Sequence, residues 1–160
     1  MRRRFSRMIV VALFGSVLFA VPALALAVTP VGPGEQPDPQ IRDGSAQREL
    51  DAARERWREY AAASYRMRVR VQCFCPQEIT RPRMLIVRSG HPVGPIPAHL
   101  RPYATVPRLF ARIQDAIDGS VAQLTTEYGR HGLPRTIYVD RSFAIADEER
   151  AVGVDRFRRR

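Results

Sequence analysis

The spacing of apolar side chains changes period several times along the chain after residue 44. Ala46, Leu50, Ala53, Trp57, Tyr60 and Ala61 recur at close to helical spacing, and Ser45 can act as a cap. This predicts a helix from Ser45 to about Ala62. Its other face is charged, with Asp51–Arg54 and Glu55–Arg58 placed three apart as ion pairs. Trp57 is expected to pin this helix onto a sheet. From Tyr65 to Cys75 the period falls to two. Tyr65, Met67, Val69, Val71, Cys73 and Cys75 share one face, and Arg66, Arg68, Arg70 and Gln72 share the other. Met84 to Arg88 reads as a second strand, closed by the turn Ser89-Gly90. Residues 91–104 carry four prolines and read as a loop. Thr105 can cap a second helix that buries Leu109, Phe110, Ile113 and Ile117 and stops at Gly119. Strands are expected over Val121 to Tyr128 and Arg135 to Asp140, with a last edge strand over Val152 to Phe157. The predicted class is α+β. Two helices pack on one face of an antiparallel sheet of four to six strands, in helix-hairpin-helix-hairpin order.

The first 44 residues follow another logic. Arg2, Arg3, Arg4 and Arg7 precede an uncharged run from Met8 to Val28, and Ala25-Leu26-Ala27 is a small-x-small cleavage site. This layout is that of a secretory signal peptide over residues 1–27. An uncleaved membrane anchor is the competing reading, because the run is long enough to span a bilayer. Either reading places the remainder outside the cytoplasm, in the periplasm or the extracellular space, with any membrane tether limited to this segment. The Arg pair partly matches a twin-arginine signal, which leaves the export route open. Residues 28–44 are rich in Pro and Gly and read as an extended linker. Residues 45–157 read as one domain and residues 158–160 as a basic tail.

Charge adds less than it first suggests. The 160 residues carry 26 basic and 16 acidic side chains, a net charge of +10, and every basic residue is Arg. Residues 1–27 hold four Arg and no acid, so the remainder carries 22 Arg against 16 acids, a net +6. A chain destined for export has little occasion to meet nucleic acid, so none is expected as a partner.

Two Cys are too few for a disulfide-dense scaffold or a four-Cys zinc module. Cys73 and Cys75 leave three readings open. They form a disulfide, which needs the strand to bend because residues two apart on a regular strand stand well separated. They are small buried apolar side chains. Or they work as a redox pair or a soft site for Cu(I) or Zn(II), with His91, His99 or His131 as a further ligand. No spacing links the three His, which read as loop residues. Ser89, His91 and Asp140 can be written as a triad, but no G-x-S-x-G elbow accompanies them. Asp147-Glu148-Glu149 with Asp140 lacks the alternation and central Gly of a calcium loop and reads as a solvated turn. Arg66, Arg68 and Arg70 form a basic stripe suited to anionic headgroups or an acidic partner, and Arg156, Arg158, Arg159 and Arg160 extend the basic character at the end of the chain.

Trp57 and Tyr65 ahead of Cys73-Phe74-Cys75-Pro76, then Leu109-Phe110, then Gly132-Leu133-Pro134-Arg135-Thr136-Ile137-Tyr138-Val139-Asp140 and Asp147-Glu148-Glu149 form a series. It resembles the exported bacterial family catalogued as domain of unknown function 6174, over about residues 46–157. The resemblance implies a small periplasmic or lipoprotein-like domain and implies no reaction. The chain differs in lacking a lipobox Cys and in having Gly129 where an acidic residue is expected. The sequence thus leads to two expectations. The first is a non-enzymatic exported domain, without a cofactor, that binds a protein or a cell-envelope component through its sheet face and loops, with Arg66, Arg68 and Arg70 as the candidate surface. The alternative is a thiol-based redox or Cu/Zn protein centred on Cys73 and Cys75.

Overall fold

A computed structural model describes residues 36–160. The expected signal segment and the first part of the expected linker lie outside the described residues. The elements run α1 (Pro39–Arg42), α2 (Ser45–Tyr60), β1 (Tyr65–Gln72), α3 (Gln77–Thr80), β2 (Arg83–Arg88), β3 (His91–Val93), α4 (Val106–Asp118), β4 (Gln123–Tyr128), β5 (Pro134–Asp140) and β6 (Arg150–Arg159). Short 3₁₀ turns cover Ala98–Tyr103 and Arg130–Gly132. The strands form one six-stranded antiparallel sheet in the order β3-β2-β1-β6-β5-β4. The α+β class holds, and no helix of the described residues is long and apolar enough to cross a membrane.

The period-two stretch of β1 buries Tyr65, Met67, Val69 and Val71 and leaves Arg66 and Arg70 exposed. These buried side chains join Leu50, Ala53 and Trp57 of α2, Leu109, Phe110 and Ile113 of α4, and Val152 and Val154 of β6 in one core. Each large apolar side chain so buried contributes about 1.5–3 kcal/mol over leaving it in water. Trp57 meets the rings of Tyr65 and Phe157 edge-on at 5.6 and 5.7 Å, which fixes α2 to β1 and β6. The pairs Asp51–Arg54 and Glu55–Arg58 form on its solvent side. Thr105 caps α4 by accepting a hydrogen bond from the Arg108 N–H. Ser89 and Gly90, both at positive φ, make the two-residue hairpin turn between β2 and β3.

Several expectations change. The linker does not run to Gly44. Asp38 is buried, its Oδ1 accepts from Gln40 N–H, and its Oδ2 accepts from Leu124 N–H. A carboxylate that terminates a sheet edge in this way ties the chain down seven residues earlier than composition suggests. Gly44, not Ser45, is the N-cap of α2, and Ala61 is a left-handed exposed residue past its end. The segment 91–104 contains β3 and a 3₁₀ turn rather than a plain loop. The largest change concerns β6. It is ten residues long and lies between β1 and β5, so it is a central strand and not an edge. Its outer half is a run of charges, which hides the buried alternation of Val152 and Val154. It also absorbs the expected basic tail. Arg158 and Arg159 pair with Arg66 and Tyr65, and Arg160 N–H donates to Ser64.

Gly132 sits at φ +73°, where an added Cβ would lie 1.9 Å from the Ala53 carbonyl oxygen. The 3₁₀ turn before β5 therefore presses its backbone directly onto α2. Only glycine permits both that φ and that approach.

Candidate binding surface

The outward face of the sheet is built by the alternate residues of β1, β6 and β5. Arg66, Arg68 and Arg70 on β1 lie opposite Arg158, Asp155 and Gly153 on β6, and Thr136 on β5 lies beside Gly153. Two irregularities shape this face. An extra residue in β6 falls between the Arg66 and Arg68 pairings, with Arg156 at φ 47°. Arg135 is an extra residue in β5, between the pairs Glu127–Thr136 and Tyr128–Pro134. A bulge turns a side chain that strict alternation would send inward. Arg135 accordingly reaches the outward side.

Two clefts lie on this face. One of about 360 Å³ is lined by Arg68, Arg70 and Arg135, by the carboxylates of Glu127 and Asp155, and by Thr136, with Gly153 in its floor. The other, about 500 Å³, is lined by Arg70, Gln72, Cys73, Gln77, Thr80 and Arg81. They share Arg70 and Gln72, which makes them one furrow along the end of β1. A Cβ at Gly153 would meet nothing within 4 Å, so its floor is open above the backbone.

Arg68 does not act as a free cation. Its guanidinium holds Asp155 through two parallel hydrogen bonds, Nε to Oδ1 at 2.6 Å and Nη2 to Oδ2. Those bonds push the Asp155 carboxyl below its ordinary value and raise Arg68 further. Among the ion pairs of the described residues, none involves Arg66, Arg70, Arg81 or Arg135. The expected stripe is thus divided: Arg68 is tied to β6, and Arg66 and Arg70 are in no ion pair. Arg81, Arg135 and Asp155 were not singled out by sequence reasoning. Arg81 sits in a Pro-flanked connection, Arg135 depends on a bulge that has no period, and Asp155 lies in the strand expected at the edge.

Cys73 and Cys75 sit past the end of β1, which stops at Gln72 and not at Cys75. Their sulfurs are 2.10 Å apart, a bonded pair. The bend that this closure requires is a three-residue turn about Phe74, in which Cys75 N–H donates to the Cys73 carbonyl at 2.8 Å. The Cα atoms lie 5.2 Å apart, against about 6.6 Å for residues two apart on a regular strand. Of the readings left open for Cys73 and Cys75, this is the geometry of the disulfide. Phe74, at the tip of the ring, is 83% exposed.

The other sequence candidates do not assemble. Ser89 and His91 lie at the β2–β3 turn, beside the start of β1, and Asp140 lies at the far end of β5. His131 stacks on Tyr60 at 3.8 Å, and Arg159 covers the same ring at 5.3 Å. His99 belongs to the 3₁₀ turn Ala98–Tyr103. Among the described residues no three His, Cys, Asp or Glu side chains, including those of Asp140 and Asp147-Glu148-Glu149, are grouped so as to hold a metal ion.

The sequence matches the model of a family of unknown function, DUF6174, over residues 49–159. No curated protein and no solved structure matches the chain. The matched span runs from within α2 to the end of β6 and so contains most of the core, Gly132, the disulfide turn and the outward furrow. The chain belongs to the family of unknown function DUF6174.

Proposed function

We propose that this protein is a non-catalytic binding domain of the cell envelope, exported by residues 1–27, that engages a protein or envelope component through the outward sheet face and its flanking loops. In this reading α2 and α4 cover only the inward face and leave the outward one to the partner. The observation that carries it is the furrow across β1, β6 and β5, where Arg70 and Arg135 stand over an open glycine floor. Guanidinium forks suit carboxylate and phosphate partners. The layout of Arg2 to Ala27 supports the export half.

Photo-crosslinking in the producing cell tests the reading. A crosslinking residue at Thr136 is expected to trap an envelope partner, and one at Glu59, on the solvent side of α2, is not. Arg66→Ser/Arg70→Ser/Arg135→Ser, which leaves the Arg68–Asp155 pair in place, should remove the Thr136 adduct. Equal trapping at both positions, or an adduct that survives the triple variant, would sink the proposal. The intact mass of the recovered protein tests export, and a retained residue 1–27 segment points to a membrane-tethered form.

A thiol-based role is the second reading, favoured by one observation: Cys73 forms part of the wall of the larger cleft. With both sulfurs in one bond, any metal-binding role begins with reduction. Alkylation of the folded protein with and without reductant decides its first step. A pair that no mild dithiol reduces in the folded state ends this reading.

A further inference from the structure

The two connections 73–82 and 141–149 leave the sheet at the same end. Gln72 is the last residue of β1 to pair with β6, opposite Ala151, and Tyr138 of β5 pairs with the same Ala151. The connections are therefore separated by two strand spacings, about 10 Å. Their tips carry Phe74, Phe143 and Ile145, which are 83%, 66% and 57% exposed. These are the three most exposed large apolar side chains of the described residues. The disulfide fixes the turn from which Phe74 projects. The residue before Phe74, Cys73, lines the cleft together with Arg70, Gln72 and Arg81. Carboxylates of residues 140–149 lie on the β5 side of this end, so the surplus of cations is confined to the side of β1 and β2.

The chain also enters at this end. Asp38 N–H donates to Val121 just before β4, and Ala122 N–H donates to the Arg141 carbonyl. The uncharged run Met8–Val28 ends ten residues before Asp38, a length that reaches at most about 35 Å when extended. That length would keep a bilayer holding this segment within reach of Phe74, Phe143 and Ile145.

We propose that this end docks on an anionic phospholipid surface, with a headgroup phosphate held between Arg70 and Arg81 and Phe74 inserted among the headgroups beside it. The proposal rests on the reading of the outward face and its loops as the binding surface, and names its occupant. Guanidinium forks pair with phosphate oxygens, and apolar tips beside cations suit the interfacial zone of a bilayer.

Flotation of the full chain with vesicles tests it, comparing phosphatidylglycerol/phosphatidylcholine vesicles with pure phosphatidylcholine. The N-terminal segment contributes equally in every variant. The wild type should prefer the anionic vesicles, and Arg70→Ser/Arg81→Ser should reduce that preference about thirtyfold, the loss expected for two arginines at such a surface. Phe74→Ser should lower partitioning to both vesicle types about tenfold. Arg56→Ser/Arg130→Ser removes the same charge elsewhere and should leave the preference intact. An equal loss in that control would reduce the effect to bulk charge and overturn the site. Displacement by inorganic phosphate at the same phosphate concentration would overturn the lipid as occupant. If the wild type shows no anionic preference while the Thr136 crosslink still depends on the three arginines, the lipid proposal falls and the sheet-face reading stands.

Discussion

The two faces of β1 come from the same eight residues and have opposite fates. On the inward side, Tyr65, Met67, Val69 and Val71 are each at most 1% exposed and meet both long helices in one core. On the outward side, Arg66 and Arg70 stand in solvent and Arg68 is held by Asp155. Packing constrains the first face so tightly that volume and shape matter there. The second face is held by the Arg68–Asp155 pair, by the Thr136 hydroxyl that donates to Glu127, and by two bulges, which constrains its side chains less tightly. A mutation on one face should therefore act on folding, and a mutation on the other on binding.

The sharpest break in that contrast is expected at Gly132. Gly132→Ala forces a Cβ onto the Ala53 carbonyl at a positive φ and should cost about 3 kcal/mol or more, because backbone rather than a flexible side chain must move. Chemical denaturation measures it directly, and a change within about 0.5 kcal/mol, the size of an ordinary surface effect, would refute the contact. Next, Met67→Ala should destabilise by about 2–5 kcal/mol, whereas its neighbour Arg66→Ala should stay within about 0.5 kcal/mol. Parallel melts of the two variants compare the faces at adjacent positions.

Tyr65→Phe probes a polar atom inside the inward face. Val106 N–H, at the first turn of α4, donates to the Tyr65 hydroxyl at 2.9 Å. Its removal leaves a buried donor unpaired and should cost about 1–3 kcal/mol. Burial pushes the Tyr65 phenol above its ordinary value of 10.0, with the Val106 hydrogen bond opposing it. The folded state holds that proton more tightly, so the associated stability is present below pH 10.0 and is lost as pH rises from there through the folded value. Urea titrations at about pH 9 and about pH 11 should show that extra loss in the wild type and not in Tyr65→Phe.

The smallest effect belongs to the outward ion pair. Hydrogen bonding from Arg68 holds the Asp155 carboxyl below 3.8, so its contribution is present above that pH and fades as pH falls through the folded value. Both side chains are partly exposed, and salt should screen most of it. Asp155→Asn should flatten the acid limb of the stability curve slightly, and an unchanged limb would show that the pair adds nothing.

What was legible in the sequence follows the same division. Periods of 3.6 and two located α2, β1 and α4, because burial repeats with the geometry of those elements. Trp57 as the pin and Ser89-Gly90 as a turn were equally plain. Position within the sheet was not legible. β6 looks like a frayed edge because five of its ten residues are charged, and only pairing with β1 and β5 makes it central. Arg81 and Arg135 joined the surface through a connection and a bulge, neither of which leaves a periodic trace. Asp38 was hidden for a related reason: a single carboxylate anchors a segment whose composition reads as linker.

The central place of β6 has a consequence in time. Ribosomes and translocation channels deliver a chain from its N-terminus, so β6 is the last strand to become available. The halves β3-β2-β1 and β5-β4 touch each other in the sheet only through it. Until β6 arrives, each half presents an unpaired edge, and the pairing that joins them spans most of the domain's length. Such non-local closure is slow, so the complete sheet forms only once β6 has been delivered.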